Sequence, residues 1–274
     1  MSGSAWSGPA GQESGVSRTL RGFQLQFRVI QALLLREMQT RFGRNQVGFL
    51  WLFLEPLMLA GAIATIKSVM GMGSHYPGIP IFVFTLVGYL PYFTFRAIIS
   101  RAPGTLQANM SLLYHSQIKL LDVVLARHAL EFAAVITVMA VIVIGVAVWA
   151  DLPPNNVPIL LVGLVLLFLY AHGLGLCAAA AAAASEVAER LIHPLVYLSL
   201  PLSGALVTLD SLPPKLREIL LWNPQANMHE MVREGFFGHL MPTYFDVGYT
   251  AFWVAIVNLI GLAALRAVRP RLEF

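Results

Sequence analysis

Two residues in the stretch RFGRNQVGFLWLFLEPLML, residues 41–59, pose a chemical problem. Glu55 and Pro56 stand inside an apolar run built for lipid. A helix starting at Val47 would carry Glu55 about 12 Å along its axis, near the middle of a hydrocarbon layer roughly 30 Å thick. A carboxylate at that depth costs roughly 2.5–3.5 kcal/mol on insertion scales. Pro56 removes the hydrogen bond to the carbonyl of Leu52 and bends the helix. Both groups therefore want protein or water beside them, not lipid. Glu55 is expected to pair or hydrogen-bond at a subunit seam or pore. A protonated glutamate that only packs is the other reading.

Enzyme chemistry has no visible seat. There is no G-x-x-x-x-G-K-[ST] loop to cradle nucleotide phosphates and no G-x-S-x-G nucleophile elbow. The string His229-Glu230-Met231-Val232-Arg233 lacks the second histidine of a zinc-protease helix, so no metal site is read there. Glu55, His172 and His193 fall in three different apolar blocks and form no evident proton relay. No catalytic residue is assigned.

The elements that position these residues are read from hydropathy. The chain has 274 residues, 57% hydrophobic and 12% charged, against about a quarter charged in soluble domains. The net charge of +4 comes mostly from arginines near block ends, a pattern of membrane topology and not of nucleic-acid binding. The lone Cys177 allows no intrachain disulfide and reads as a small hydrophobe. Six blocks are long enough to cross a bilayer: 47–66, 81–99, 129–149, 158–184, 191–209 and 247–268. Fourteen Lys and Arg collect on one face of this topology and three on the other, or four with Lys67. Both termini are thereby placed in the cytoplasm. Lys67 reads as an end residue that snorkels.

Residues 1–17 lack the apolar core of a signal peptide and read as a disordered leader, leaving the first span to direct insertion. Residues 18–46 carry a cytoplasmic amphipathic interface helix. Leu20, Phe23, Phe27, Ile30, Leu34 and Met38 recur at steps of three and four, with arginines at the edges. It serves either as a plain anchor or as an elbow that also contacts a cytoplasmic partner. In loop 210–246, Ser211 with Pro213-Pro214, and then Asn223-Pro224, start two short helices. Their partly apolar faces suit an external re-entrant or amphipathic pair before the last span. The fold expected is thus an all-α polytopic membrane protein, its transmembrane domain running over 47–274.

Such a chain has a conduit's architecture and no engine. The energy comes from a gradient or from another subunit, and the second loop favours a subunit. Leu106, Met110, Leu113 and Ile118 are spaced for a short docking helix, and Ser185, Glu186, Glu189 and Arg190 form a second cytoplasmic projection. Two short projections suit the transfer of force from a soluble motor; solvated turns are the plainer reading.

The residues LLLREMQTRFGRNQVGFLWLFLEPLM resemble the signature of ABC-2 type export permeases that move polysaccharides. The matching positions are Arg36, Arg41-Phe42, Gly48-Phe49-Leu50-Trp51 and Pro56. Glu55 before the proline is more similar to the capsule branch than to the O-antigen branch. A second match lies at Leu212-Pro213, Arg217, Asn223-Pro224, His229-Glu230, Arg233 and Phe237. The resemblance spans nearly the whole chain after Ser17. It implies the non-catalytic inner-membrane subunit of a capsule exporter, working as a homodimer with two ATP-binding cassette subunits. ATP and Mg would sit on those partners and no cofactor on this chain. The cargo implied is a lipid-linked acidic polysaccharide, passed on to periplasmic and outer-membrane export components. Arg36, Leu106, Met110, Leu113, Ser185, Glu186, Glu189 and Arg190 become coupling residues toward the ATPase. Sugar recognition favours aromatic faces with a few polar groups. On that ground Trp51, Tyr89, Tyr92 and Phe93, with Arg41, Arg44, Arg96 and Arg101, are candidates for the substrate path or else ordinary membrane anchors, beside Glu55, whose charge would repel an acidic polymer and so suits a structural or gating role there. Forked arginine donors suit carboxylate and phosphate. Arg217, His229, Glu230 and Arg233 are expected to brace the external helices to each other or to gate the exit. An ABC-2 exporter of O-antigen, teichoic acid or drugs is the alternative within transport. A gradient-driven carrier or membrane enzyme stands outside it.

Overall fold

The computed structural model describes residues 15–42, 47–71, 76–109, 119–149 and 151–272. Among them every regular element is helical. In chain order they are α1 (Gly15–Phe42), α2 (Val47–Val69), α3 (Ile81–Arg101), α4 (Pro103–Gln107), α5 (Leu120–Trp149), α6 (Val157–Ala184), α7 (Glu186–Leu202), α8 (Pro214–Leu221), α9 (Pro224–Phe237) and α10 (Val247–Leu272), with a 3₁₀ turn at Gly238–Leu240. Four of these, α3, α5, α6 and α10, are long and apolar enough to cross a membrane.

The central element is α3. Pro80 starts it, since proline's fixed φ suits a helix entry, and an unbroken run from Val83 to Phe95 is buried. Helices α2, α5, α6, α7 and α9 all pack against it. Helix α6 is the second hub. Asn156 caps it by accepting a bond from the Ile159 amide at 3.2 Å. It crosses α10 closely because both helices present glycine. A Cβ on Gly261 would lie 2.6 Å from the Gly173 carbonyl oxygen, and one on Gly173 would lie 2.9 Å from the Asn258 nitrogen. Small residues at a crossing let backbones approach in an apolar medium.

Helix α2 runs unbroken through Pro56 and lies along α3. Helix α1 packs on the first turns of α5, with Leu33 buried against Val123 and Ala126 and with Val29, Ile30 and Leu34 beside them. Phe27 and Met38, which the spacing puts on the same apolar face as Ile30 and Leu34, are exposed.

Two expected boundaries move, each for a local reason. The block placed at 129–149 belongs to a helix that begins at Leu120. Its polar first turns read as loop, yet they are folded because Asp122 accepts from the Lys119 amide at 3.2 Å and from Gln26 of α1 at 2.8 Å. The block placed at 191–209 is shifted toward the N-terminus. One extended residue, Ser185, separates α6 from α7, so Glu186, Glu189 and Arg190 form the first turns of α7 rather than a projecting loop. At the far end Pro201 and Gly204, whose φ is +74°, end the helix. Residues 203–212 then form a loop over α9.

Of the external pair expected to be re-entrant or amphipathic, α9 is buried on both faces: Gln225, Asn227, His229, Glu230 and Arg233 on its polar side are as buried as Met228, Met231, Val232 and Phe236. It inserts between α6, α3 and α10. The amides of Asn155 and Asn156 donate to the carbonyls of Phe236 and Gly235, at 3.1 and 2.8 Å, and tie its end to the α5–α6 loop. The neighbouring α8 has no buried residue.

Candidate functional site

Polar groups gather at three levels of the bundle. At the middle level, an Arg96 guanidinium nitrogen of α3 meets Glu55 Oε1 of α2 at 2.8 Å. Both side chains are part-buried, and Arg96 also lies over the Phe93 ring at 5.2 Å. The carboxylate that looked out of place in α2 is therefore neutralised by its neighbour helix. The pairing locks α2 to α3 beside the bend-prone Pro56.

At the α1 end, charged groups join four helices. Arg101 of α3 pairs with the buried Glu131 of α5. Arg127 of α5 pairs with Glu37 of α1 at 3.3 Å. Arg36 donates to Asn109, just past α4, at 3.1 Å. Glu131 and Asn109 were not singled out in the sequence; Glu131, the third residue of the block at 129–149, carries the same signal as Glu55, whereas Asn109 carries none. Leu106 does not face outward: it is fully buried under α4, in the core. A surface for docking there would have to come from other residues. Glu186 and Arg190 face each other across 3.7 Å on the exposed start of α7, with Glu189 and Ser185 beside them. Arg44, Met110 and Leu113 lie outside the described residues, as does the side chain of Arg41.

At the opposite end a buried network surrounds α9. Arg233 and Glu230, both fully buried, form an ion pair at 3.0 Å. Arg233 also donates to the Ala205 carbonyl at 3.0 Å. Glu230 accepts from the amides of Leu209 and Tyr244 at 3.4 and 3.3 Å. Space for Arg233 comes from Gly88 of α3: a Cβ there would meet the guanidinium at 2.9 Å and overlap the Ala205 carbonyl. Burial pushes the Glu230 carboxyl up, and the adjacent Arg233 charge draws it back. His229 Nδ1 donates to the Gln225 carbonyl at 2.8 Å, and burial lowers its pKa to about 3, so it is neutral. Arg217 donates to the carbonyls of Leu209 and Asp210 at 3.1 and 3.2 Å and lies 4.3 Å over the Tyr244 ring. The expected brace between α8 and α9 is thus a different one. These residues clasp the loop over 203–212 and the segment before α10 onto α9. Lys67 takes part too. Rather than reaching for solvent, it donates to the Leu206 carbonyl at 2.6 Å.

The aromatic set splits. Tyr89, Tyr92 and Phe93 are buried within this single chain, and Tyr92 donates its hydroxyl to the Val196 carbonyl of α7 at 2.6 Å. Burial inside one chain cannot be undone by adding a second, so these three offer no ring face to a ligand in this conformation. Trp51 is 55% exposed and keeps its candidacy. A buried pair absent from the sequence reading joins α5 to α6: His128 Nδ1 and His172 Nδ1 lie 2.9 Å apart.

Ion pairs at three levels of the bundle, one of them fully buried, thus join helices of which four are long and apolar enough to cross a membrane. Comparison with known proteins makes this specific. The ABC-2 type transporter membrane family matches residues 28–237, and the chain belongs to that family. It is 38% identical over 244 residues to the capsule polysaccharide export inner-membrane protein CtrC of Neisseria meningitidis serogroup B, covering 87% of this chain and 90% of that protein. It is 35% identical over 246 residues to the capsule polysaccharide export inner-membrane protein BexB of Haemophilus influenzae, covering 88% and 91%. It is 31% identical over 258 residues to the polysialic acid transport protein KpsM of Escherichia coli, covering 89% and 95%.

Proposed function

We propose that this chain is the membrane-spanning permease subunit of an ATP-driven exporter that moves lipid-linked acidic capsular polysaccharide across the bacterial inner membrane. The observation that carries the reading is the 31–38% identity to capsule and polysialic acid export proteins over nearly their full length. The chain itself hydrolyses nothing: two ATP-binding cassette subunits supply ATP, Mg and movement. Its working form is a homodimer, and periplasmic and outer-membrane components receive the polymer.

The topology proposed has six passes with both termini cytoplasmic. Helices α2 and α7 are the two passes added to α3, α5, α6 and α10. At 1.5 Å per residue, the 23 residues of α2 reach roughly 35 Å, enough for the hydrocarbon layer. The 17 residues of α7 reach roughly 25 Å, and residues 203–209 complete the crossing. Both helices expose large apolar side chains, among them Leu54 and Met58 on α2 and Leu195 and Leu198 on α7. Such faces suit lipid or a second copy of the chain. The α1 end is then cytoplasmic, where α1 lies in the interface and the start of α7 is open to the ATPase. The α9 end is external.

Purification from membranes with its neighbours intact, followed by a vanadate-sensitive ATPase assay in lipid, tests the reading. The expected result is recovery with a nucleotide-hydrolysing subunit at equal stoichiometry. Recovery of this chain with no such partner would overturn it.

A further inference from the structure

A cleft of about 520 Å³ opens between the end of α8, α9 and the first turn of α10. It is an open depression, suited to the face of a ring rather than to an enclosed ligand. Trp222, Tyr244, Phe245 and Tyr249 supply aromatic faces to it, and Asn227 and Asp246 supply polar groups.

Aromatic residues near a membrane surface commonly serve as anchors. Two features separate this cleft from such a girdle. The first is that its walls are fixed by a chain of hydrogen bonds. Tyr249 donates its hydroxyl to the Trp222 carbonyl at 2.6 Å, and its amide to Asp246 Oδ1 at 2.9 Å. The Asp246 amide donates to Asn227 Oδ1 at 3.0 Å, and Asn227 Nδ2 donates to the Leu221 carbonyl at 2.8 Å. The Tyr249 side chain, the Asp246 carboxylate and the Asn227 amide are thereby set in place before any ligand arrives, with the Trp222 indole standing open beside them. The second feature is the unused valence. Trp222 is 78% exposed. Among the described residues its indole N–H makes no hydrogen bond, and neither does the second carboxylate oxygen of Asp246.

An indole face takes the C–H face of a pyranose ring, and a carboxylate oxygen takes its hydroxyls. Asp246 is the one charged residue among those lining the cleft. Arg217, over the Tyr244 ring, is already matched by Asp210 at 3.9 Å, so a uronate or sialate carboxylate entering the cleft would be repelled by Asp246. We propose that this cleft binds an uncharged, hydroxyl-bearing pyranose unit of the glycan on the external side, rather than an acidic sugar. The proposal rests on the polysaccharide-export reading for its biological setting; the binding itself is tested independently of transport.

The full chain is labelled with fluorotryptophan and embedded in nanodiscs. Its Trp222 fluorine resonance is identified by comparison with Trp222→Phe, which leaves the other four of the five tryptophans in place. A panel of neutral tetrasaccharides built on glucose, galactose, mannose or N-acetylglucosamine is titrated beside a galacturonate tetrasaccharide. A saturable shift of the Trp222 resonance with a neutral member is expected, with binding at least about tenfold weaker for the uronate. Asp246→Asn keeps the amide-capping oxygen and is expected to narrow that preference without moving the other tryptophan resonances. The proposal is overturned if no sugar moves the resonance, or if the uronate moves it equally. It is also overturned if only a change from zwitterionic to anionic lipid moves it, which would mark a membrane anchor. Export by membrane vesicles read in parallel separates the two ideas. Export with a silent Trp222 removes the cleft and leaves the transport reading. Sugar binding without polysaccharide export leaves the cleft and removes the transport reading.

Discussion

Replacing Arg233 with methionine should be among the most damaging single changes at the α9 end. Arg233 and Glu230 have no exposed side-chain surface and lie 3.0 Å apart. Methionine fills much of the volume but leaves the Glu230 carboxylate with only the Leu209 and Tyr244 amides, at 3.4 and 3.3 Å. It also strands the Ala205 carbonyl, which accepts from Arg233 at 3.0 Å. Breaking one partner of a fully buried pair costs about 3–5 kcal/mol, a large share of a typical domain's stability of about 5–15 kcal/mol. The sign of the pH dependence follows from Glu230. Burial already raises its carboxyl, and loss of Arg233 removes the charge that draws it back. A carboxyl raised above its unfolded value destabilises the fold when ionised and ceases to do so once protonated. The deficit of Arg233→Met should therefore shrink as pH is lowered and Glu230 takes up its proton. SDS-titrated unfolding of the purified chain in bicelles reads both effects. A deficit below about 1 kcal/mol, or one that does not change with pH, would refute the reasoning.

Three further outcomes follow from the same geometry. Glu55→Leu leaves Arg96 unpaired in the α2–α3 seam and should lower export severalfold with assembly intact, while the exchange of Glu55→Arg with Arg96→Glu should restore much of it. An untouched Glu55→Leu exporter would show that the pair is only packing. His229, held neutral with a pKa of about 3, gives the fold an acid-labile element. Because its folded pKa lies below the unfolded one, stability should fall by about 1.4 kcal/mol per pH unit between about pH 6.5 and about pH 3. His229→Asn should flatten that slope in the same unfolding assay. Gly88→Val should displace the loop carrying Ala205, since even a Cβ there would lie 2.9 Å from the Arg233 guanidinium. Loss of protease resistance at residues 203–212 is the readout, and unchanged resistance would contradict the packing described.

What was legible in the sequence was what depends on local pattern. Apolar block length announced α3, α5, α6 and α10, and the proline and asparagine signals placed the starts of α8 and α9 to within a residue. Glu55 announced that it needed a partner, because a carboxylate in an apolar run is costly wherever it sits. That the partner is Arg96 depends on the register of α2 against α3, which no single helix encodes. The same limit hid His128 against His172, and Glu131 against Arg101. Tyr89, Tyr92 and Phe93 look like ligand-facing aromatics because they cluster in sequence. They are buried because α3 is wrapped by five other helices, a fact of topology. The polar face of α9 is buried because Glu230 and Arg233 pair with each other and because amides and a carbonyl from loops distant in sequence complete their bonding, partners that no local pattern shows. The sugar-facing aromatics proposed from the structure, Trp222 and Tyr249, are 27 residues apart and meet only through a hydrogen bond.

On the function proposed above, this chain is a passive conduit half moved by a partner's ATP hydrolysis. Inverted membrane vesicles holding this chain and its ATP-binding partner test it most directly, with uptake of lipid-linked polysaccharide as the measurement. Uptake should require ATP and this chain, survive collapse of the proton gradient, and stop when the partner's hydrolytic glutamate is replaced. Uptake that persists with the ATPase disabled and vanishes with the proton gradient would contradict it.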